Sequence, residues 1–275
     1  MIKASELPLA ADGSLYHIHL TSDTLADKML LVGDPGRVDM FKGIFDSVEH
    51  ESLNRELHAV TGRYHGTRMT ALSTGMGCDN IDIVMTELDV AADGRKLEVV
   101  RIGTSGSLQE EIDCGSHVAS AYAIGLDGLM NYYKEWDTPV TEMEHAFDAH
   151  MGLDGRLAHP YCVRGSRMLL DKVAPDMHHG ITATAPGFYG PQGRTVRLHP
   201  SIEGLNDKLA AFRYGGLPVT NLEMETSAIY GFSHLLGHEA LTVCLIIANR
   251  PKGTFLSDYH EPMRQLVGTV VERMK

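Results

Sequence analysis

Residues 217–237 read LPVTNLEMETSAIYGFSHLLG. The stretch to Met224 reads as a strand, and ETSAIYGFSHLLG, from Glu225 on, as a helix. A strand that runs straight into a helix is the building unit of an α/β protein. Two carboxylates, Glu223 and Glu225, stand at the junction. In open α/β sheets ligands lie outside the carboxyl ends of strands, so this junction is also a candidate site. A carboxylate at a helix N-terminus meets the positive end of the helix dipole, which favours its ionised form. There it can accept hydrogen bonds from the vicinal hydroxyls of a sugar, or oppose positive charge on the ring. Helix capping explains Glu225 alone equally well.

The same alternation continues outward in both directions. KMLLVG (28–33), closed by DPGR, reads as a buried strand and a turn. HAVTGRYHGTRMTALSTG (58–75) reads as two strands about a glycine turn, and 79–93 as a helix with Asp79 as its N-cap. Strands follow at 96–103, 117–124, 180–185 and 239–249, and helices at 165–175 and 258–274. This pattern predicts a largely parallel sheet covered on both faces. Residues 126–160 carry the least pattern and read as a helical insertion over the sheet.

Composition narrows the function classes. The chain has 275 residues and a formal net charge of −12, which argues against a basic face for nucleic acid. It does not exclude a small anion held by a few arginines. No run reaches the roughly 18 apolar residues of a membrane span. The first residues lack the apolar core of a signal peptide, so a cytoplasmic location is expected. Four separated cysteines, with no CxxC pair, are expected as reduced thiols. The 15 histidines include no HExxH motif, so no metal site is assigned to them.

Two motifs fail on inspection. GMGCDN (75–80) has Asn80 where a dinucleotide fingerprint needs its third glycine, and GTSGS (103–107) ends in Ser107 where a nucleophile elbow needs glycine. Three other stretches carry polar groups at strand ends. GDPGR offers Gly33 and Arg37, and RIGT offers Arg101 and Thr104. Two guanidinium groups, a hydroxyl and free backbone amides suit a dianionic phosphate. Either stretch alone reads better as a surface or salt-bridge arginine beside a turn glycine. GFYGPQGR (187–194) presents Phe188, Gln192 and Arg194, an aromatic face, an amide and a guanidinium suited to a heterocyclic base.

Taken in order, GDPGRV, STGMG, RIGTSGSLQ, FYGPQGR, NLEMETSA and IIANR resemble the nucleoside phosphorylase family, in its uridine phosphorylase branch, over about residues 15–275. The resemblance implies one domain over 1–275, with a twisted mixed β-sheet partly closed into a barrel and flanked by helices. It implies an enzyme that cleaves uridine with phosphate as co-substrate and with no cofactor. Gly33, Arg37, Arg101 and Thr104 would bind phosphate, with Arg55 lent by a neighbouring subunit. His17, also from the neighbour, would join Met224 and Glu225 at the ribose. Phe188, Gln192, Arg194 and Arg250 would hold the base. Arg101, Glu225 and Arg194 carry the catalytic expectation. Some members hold a monovalent cation with a glutamate and a serine, positions matched by Glu56 and Ser73. Subunits of the family share sites in a homodimer unit, and hexamers are common. The chain departs from the family at 106–117 and in a longer 126–160 region, which bears on the pocket lid. The alternatives are a purine nucleoside phosphorylase, which places an aspartate just after the last strand where this chain has Asn249 and Arg250, a nucleosidase, which lacks the phosphate arginines, and a non-catalytic nucleoside-binding protein.

Overall fold

The computed structural model describes residues 2–275. In chain order the elements are β1 (Lys28–Val32), α1 (Pro35–Lys42), β2 (Ser47–Asn54), β3 (Leu57–Tyr64), β4 (Thr67–Ser73), α2 (Cys78–Ala92), β5 (Glu98–Ser107), β6 (His117–Gly125), α3 (Thr141–Met151) and β7 (Tyr161–Arg164). They continue as α4 (Arg167–Val173), β8 (His178–Thr184), α5 (Leu205–Ala211), β9 (Arg213–Tyr214), β10 (Leu217–Glu223), α6 (Thr226–Leu236), β11 (Glu239–Asn249), β12 (Thr254–Phe255) and α7 (His260–Met274).

All the strands join one 12-stranded sheet, whose main path runs β12-β11-β6-β8-β10-β5-β1-β4-β3-β2. Strand β11 also pairs with β5, which closes β5, β11, β6, β8 and β10 into a barrel. The sheet is mixed rather than largely parallel. β1–β4, β1–β5 and β5–β11 are parallel, but β2–β3, β3–β4, β5–β10 and β6–β11 are antiparallel. A strand covered on both faces is an apolar run in either direction, so the run alone does not reveal its polarity.

Side chains alternate across the sheet with period two. From β1, Met29 and Leu31 enter a core with α2 and α6, while Leu30 and Val32 enter a second core with α1, α4 and α7. Residues 126–160 do place a helix over the sheet: α3 buries Met143, Phe147 and Met151 in a third core against β8, β10 and α5. Helix α2 begins behind Gly77, with no side-chain cap, and Asp79 sits inside its first turn. The DPGR turn is the start of α1, where the Asp34 carboxylate accepts from the Gly36 N–H at 2.9 Å.

Among the described residues no helix is long and apolar enough to cross a membrane. All four cysteines are free, and Cys78, Cys162 and Cys244 are buried.

Candidate active site

Strand β5 forks the sheet. Its first half pairs with β1 up to Arg101, and its last residues, Gly106 and Ser107, pair with β10. Between those registers, Ile102–Ser105 have no strand partner on that edge, and a cleft of about 940 Å³ opens there. Gly33, Arg37, Arg101, Thr104, Met224, Glu225, Phe188, Gln192, Arg194 and Arg250 all line it, so ten separately expected residues converge. His17 and Arg55 do not line this chain's cleft. His17 Nδ1 bonds Glu87 at 2.5 Å, and Arg55 sits exposed on the β2–β3 turn with φ of 56°.

At one end of the cleft Arg37 is 8% exposed, and its guanidinium lies 6.0 Å from the Tyr259 ring centroid. Arg101, on β5, folds over Gly103, where a Cβ would collide with the guanidinium. Its Nη1 lies 3.0 Å from Glu223, and its Nη2 donates to Glu225. Burial works to lower the Arg101 pKa, but the Glu225 and Glu223 carboxylates outweigh it and raise the value.

The strand–helix junction divides labour between its two glutamates. Glu223 caps α6: its carboxylate accepts from the Glu225 and Thr226 N–H groups at 3.0 Å each, and from the Thr184 hydroxyl at 2.7 Å. Glu225 holds the N-cap position yet makes no side-chain cap bond, so its carboxylate faces the cleft. It accepts from the Gly77 N–H at 2.7 Å and from Arg101. Burial pushes the Glu225 carboxyl up, against the opposing pull of Arg101. Its charge therefore depends on that partner more than on the helix dipole.

At the other end of the cleft the Arg194 guanidinium lies 3.7 Å from the Phe188 ring centroid and donates to the Gln192 side-chain oxygen at 2.6 Å. Burial, with Arg250 nearby, lowers the Arg194 pKa to about 10, which leaves it charged at neutral pH. Arg250 donates from Nη2 to the Gln192 carbonyl at 2.9 Å, while its buried Nη1 has no partner. Asn249, fully buried, also borders the cleft, but its side chain is taken up by the chain itself. Its amide donates to the carbonyls of Gln109, Glu110 and Ile112 at 3.1, 3.2 and 2.9 Å.

The family model of the phosphorylase superfamily matches residues 27–272. The chain belongs to this superfamily. It is 30% identical over 255 residues to the uridine phosphorylase of Thermococcus kodakarensis, covering 92% of this chain and 83% of that protein. It is also 32% identical over 237 residues to the guanosine phosphorylase of Halorubrum lacusprofundi, covering 86% and 84%. The crystal structure of the Trypanosoma brucei nucleoside phosphorylase, described as showing uridine phosphorylase activity, matches with a TM-score of 0.87 at 29% identity, covering 98% of each chain. The chain is an enzyme of the nucleoside phosphorylase type, a pentosyltransferase acting on a nucleoside and phosphate.

The cleft includes groups that sequence reading left out. Tyr259 and Phe255 line the cleft from the far end of the chain, and Gly103 makes room for Arg101. Glu223 was passed over because its role lies in backbone hydrogen bonds, which leave no spacing signal. Glu56 lines the cleft, and Ser73 is buried with its hydroxyl donating to the Glu56 carbonyl at 2.6 Å. Asp39, Glu51 and His58 come together elsewhere, but Lys42 sits among them at 2.7 Å from Asp39 and 2.8 Å from Glu51, balancing their charge. Among the described residues, none of 126–160 lines the cleft.

Proposed function

We propose that the chain, acting as one domain over residues 1–275, converts uridine and phosphate to uracil and ribose-1-phosphate. The observation that carries the choice of a pyrimidine is the end of β11. Where a purine-protonating aspartate would stand, the chain has Asn249, whose amide is committed to the 109–112 carbonyls, and then Arg250, a cation that lines the cleft. The cleft instead offers the Gln192 amide with Arg194 beside it.

Uracil presents acceptor, donor, acceptor along one edge. The Gln192 amide pairs with N3–H and one carbonyl, and Arg194 and Arg250 donate to the rest. Arg37, Arg101, Thr104 and the backbone at Gly33 hold phosphate against the face of C1′ opposite the base. Arg55 completes that group from a second copy of the chain, and that copy's His17 meets the ribose 5′-hydroxyl. Met224 and Glu225 hold the ribose. The glycosidic bond breaks through an oxocarbenium-like state, and bound phosphate places negative charge beside it. Arg194 stabilises the negative charge that grows on uracil. A monovalent cation at Glu56 and Ser73, on the backbone of paired subunits, is part of the same reading.

The test is base release from a nucleoside panel with and without phosphate. Release from uridine should require phosphate, and cytidine should be slower on the order of 10⁴-fold, because its amino group faces Arg194 with no acceptor. Arg194→Ala should lower uridine turnover about 10²–10³-fold with phosphate affinity nearly intact. Equal release in phosphate-free buffer would make the enzyme a nucleosidase. The guanosine phosphorylase relative supports a second reading, purine phosphorolysis. Inosine cleaved as fast as uridine selects it.

A further inference from the structure

The arginine assigned to phosphate and the glutamate assigned to ribose are bonded to each other. Arg101 is 4% exposed and reaches Glu225 with Nη2 and Glu223 with Nη1, the latter at 3.0 Å. Its two carboxylate partners are held very differently. Glu223 is fixed by the Thr184 hydroxyl and by the Glu225 and Thr226 N–H groups at the start of α6. Glu225 has the Gly77 N–H on Oε1, and its Oε2 bonds Arg101. The guanidinium also keeps a buried Nε with no partner. One side of the ion pair is thus a fixed pivot and the other is an exchangeable contact.

We propose that Arg101 is a latch between the two substrates: it keeps Glu223 and exchanges Glu225 for phosphate, so that phosphate and nucleoside each strengthen the binding of the other. The proposal rests on the phosphorolysis reading and deepens it. Phosphate binding alone draws the guanidinium off Glu225 and leaves a buried carboxylate uncompensated, which is unfavourable. Nucleoside binding alone sets the ribose hydroxyls in competition with Arg101 for Glu225. When both bind, the hydroxyls replace Arg101 on Glu225 and phosphate replaces Glu225 on Arg101. The contact is broken once for two ligands, so whichever binds first prepares the site for the second. The coupling is reciprocal by linkage and should fall in the usual range, about 5–150-fold.

The experiment is calorimetry on the wild-type enzyme with inorganic phosphate and a carbon-linked uridine analogue, whose ribose–base bond phosphate does not cleave. Phosphate should lower the analogue's Kd by about tenfold or more, and the analogue should lower the phosphate Kd by the same factor. Glu225→Gln, which removes the charge that Arg101 holds, should bring the factor close to one. Thr104→Val, which weakens phosphate without touching the latch, should leave the factor unchanged. A wild-type factor of one, or a factor that survives in Glu225→Gln, overturns the latch. Uridine turnover is measured alongside with and without phosphate. Phosphate-dependent turnover with a factor of one sinks the latch alone, whereas turnover indifferent to phosphate sinks the phosphorolysis reading and the latch together.

Discussion

At the scale of single residues, Asn249 and Glu225 make opposite use of burial. Asn249 is fully buried, and its amide is filled by three carbonyls and by the Lys252 N–H, which donates to its oxygen at 2.9 Å. An aspartate there offers no donor, so its carboxylate would face those carbonyls. Asn249→Asp should therefore cost about 3 kcal/mol of stability, seen in denaturant titration, and gain no inosine cleavage. A stable variant that cleaves inosine would show that the residue can turn into the cleft. Glu225 is buried with a partner that has other work. Its carboxyl is pushed above the ordinary glutamate value by burial, while Arg101 pulls it down. A raised acid keeps its proton to higher pH, so the ionised form proposed to accept from ribose is lost early as pH falls. The acid limb of kcat/KM for uridine should lie above the usual value of about 4.3. Arg101→Met removes the pull, so the limb should move further up. A limb that stays put or moves down in that variant would separate the Glu225 charge from Arg101.

At the scale of elements, β5 and α6 carry the site. The middle of β5 stands between the end of the β1 register and the start of the β10 register, and there Gly103 gives Arg101 its space. Gly103→Ala should push the guanidinium off Glu223 and Glu225. The KM for phosphate should rise at least about tenfold and kcat should fall, since the arginine acts in the ground and transition states. Unchanged phosphate kinetics in a folded Gly103→Ala enzyme would show that Arg101 has another resting place. The elements themselves were unevenly legible. Strand β1 announced itself as an apolar run because it is buried on both faces, whereas β3 and β4 were legible as a pair about a glycine turn. Strand β2 was not: SVEHESLN is an edge strand with exposed residues on both sides, so it has neither an apolar run nor a clean alternation. Helix α5 was also missed: it has seven residues and only Leu205 and Leu209 buried. Strand direction was illegible because the apolar run records burial and not polarity. The expected site residues stood out as polar groups in glycine-containing stretches, and ten of them line one cleft although they come from strand, helix and loop alike. What escaped were the role of Glu223, which works through backbone bonds, and Gly103, which works through the space it leaves.

At the scale of the whole molecule, the barrel collects residues from positions 33 to 259 into one cleft, yet two expected members stay outside it. Arg55 projects from the β2–β3 turn, and the neighbouring Asn54 amide bonds the carbonyls of Tyr16 and His17 at 3.0 Å each. Arg55 and His17 therefore share one patch of surface, in contact through Asn54. If a second copy of the chain presents this patch to the cleft, the two defects Arg55→Ala and Glu225→Ala belong to different subunits of each site. Each variant alone should be nearly inactive. Mixed in equal amounts and allowed to exchange subunits, half of the dimers are hybrids. Each hybrid has one site with both defects and one with neither, so about a quarter of the wild-type activity should return under random pairing. Two variants with defects on the same side, Arg101→Ala and Glu225→Ala, should recover nothing, because each site in their hybrid keeps one defect. Subunit exchange is checked by mass spectrometry on differently labelled chains. Verified exchange with no recovery in the Arg55 mixture would place Arg55 in its own chain's site or outside catalysis altogether. Recovery in the same-side mixture would show instead that the cleft itself is assembled from two chains.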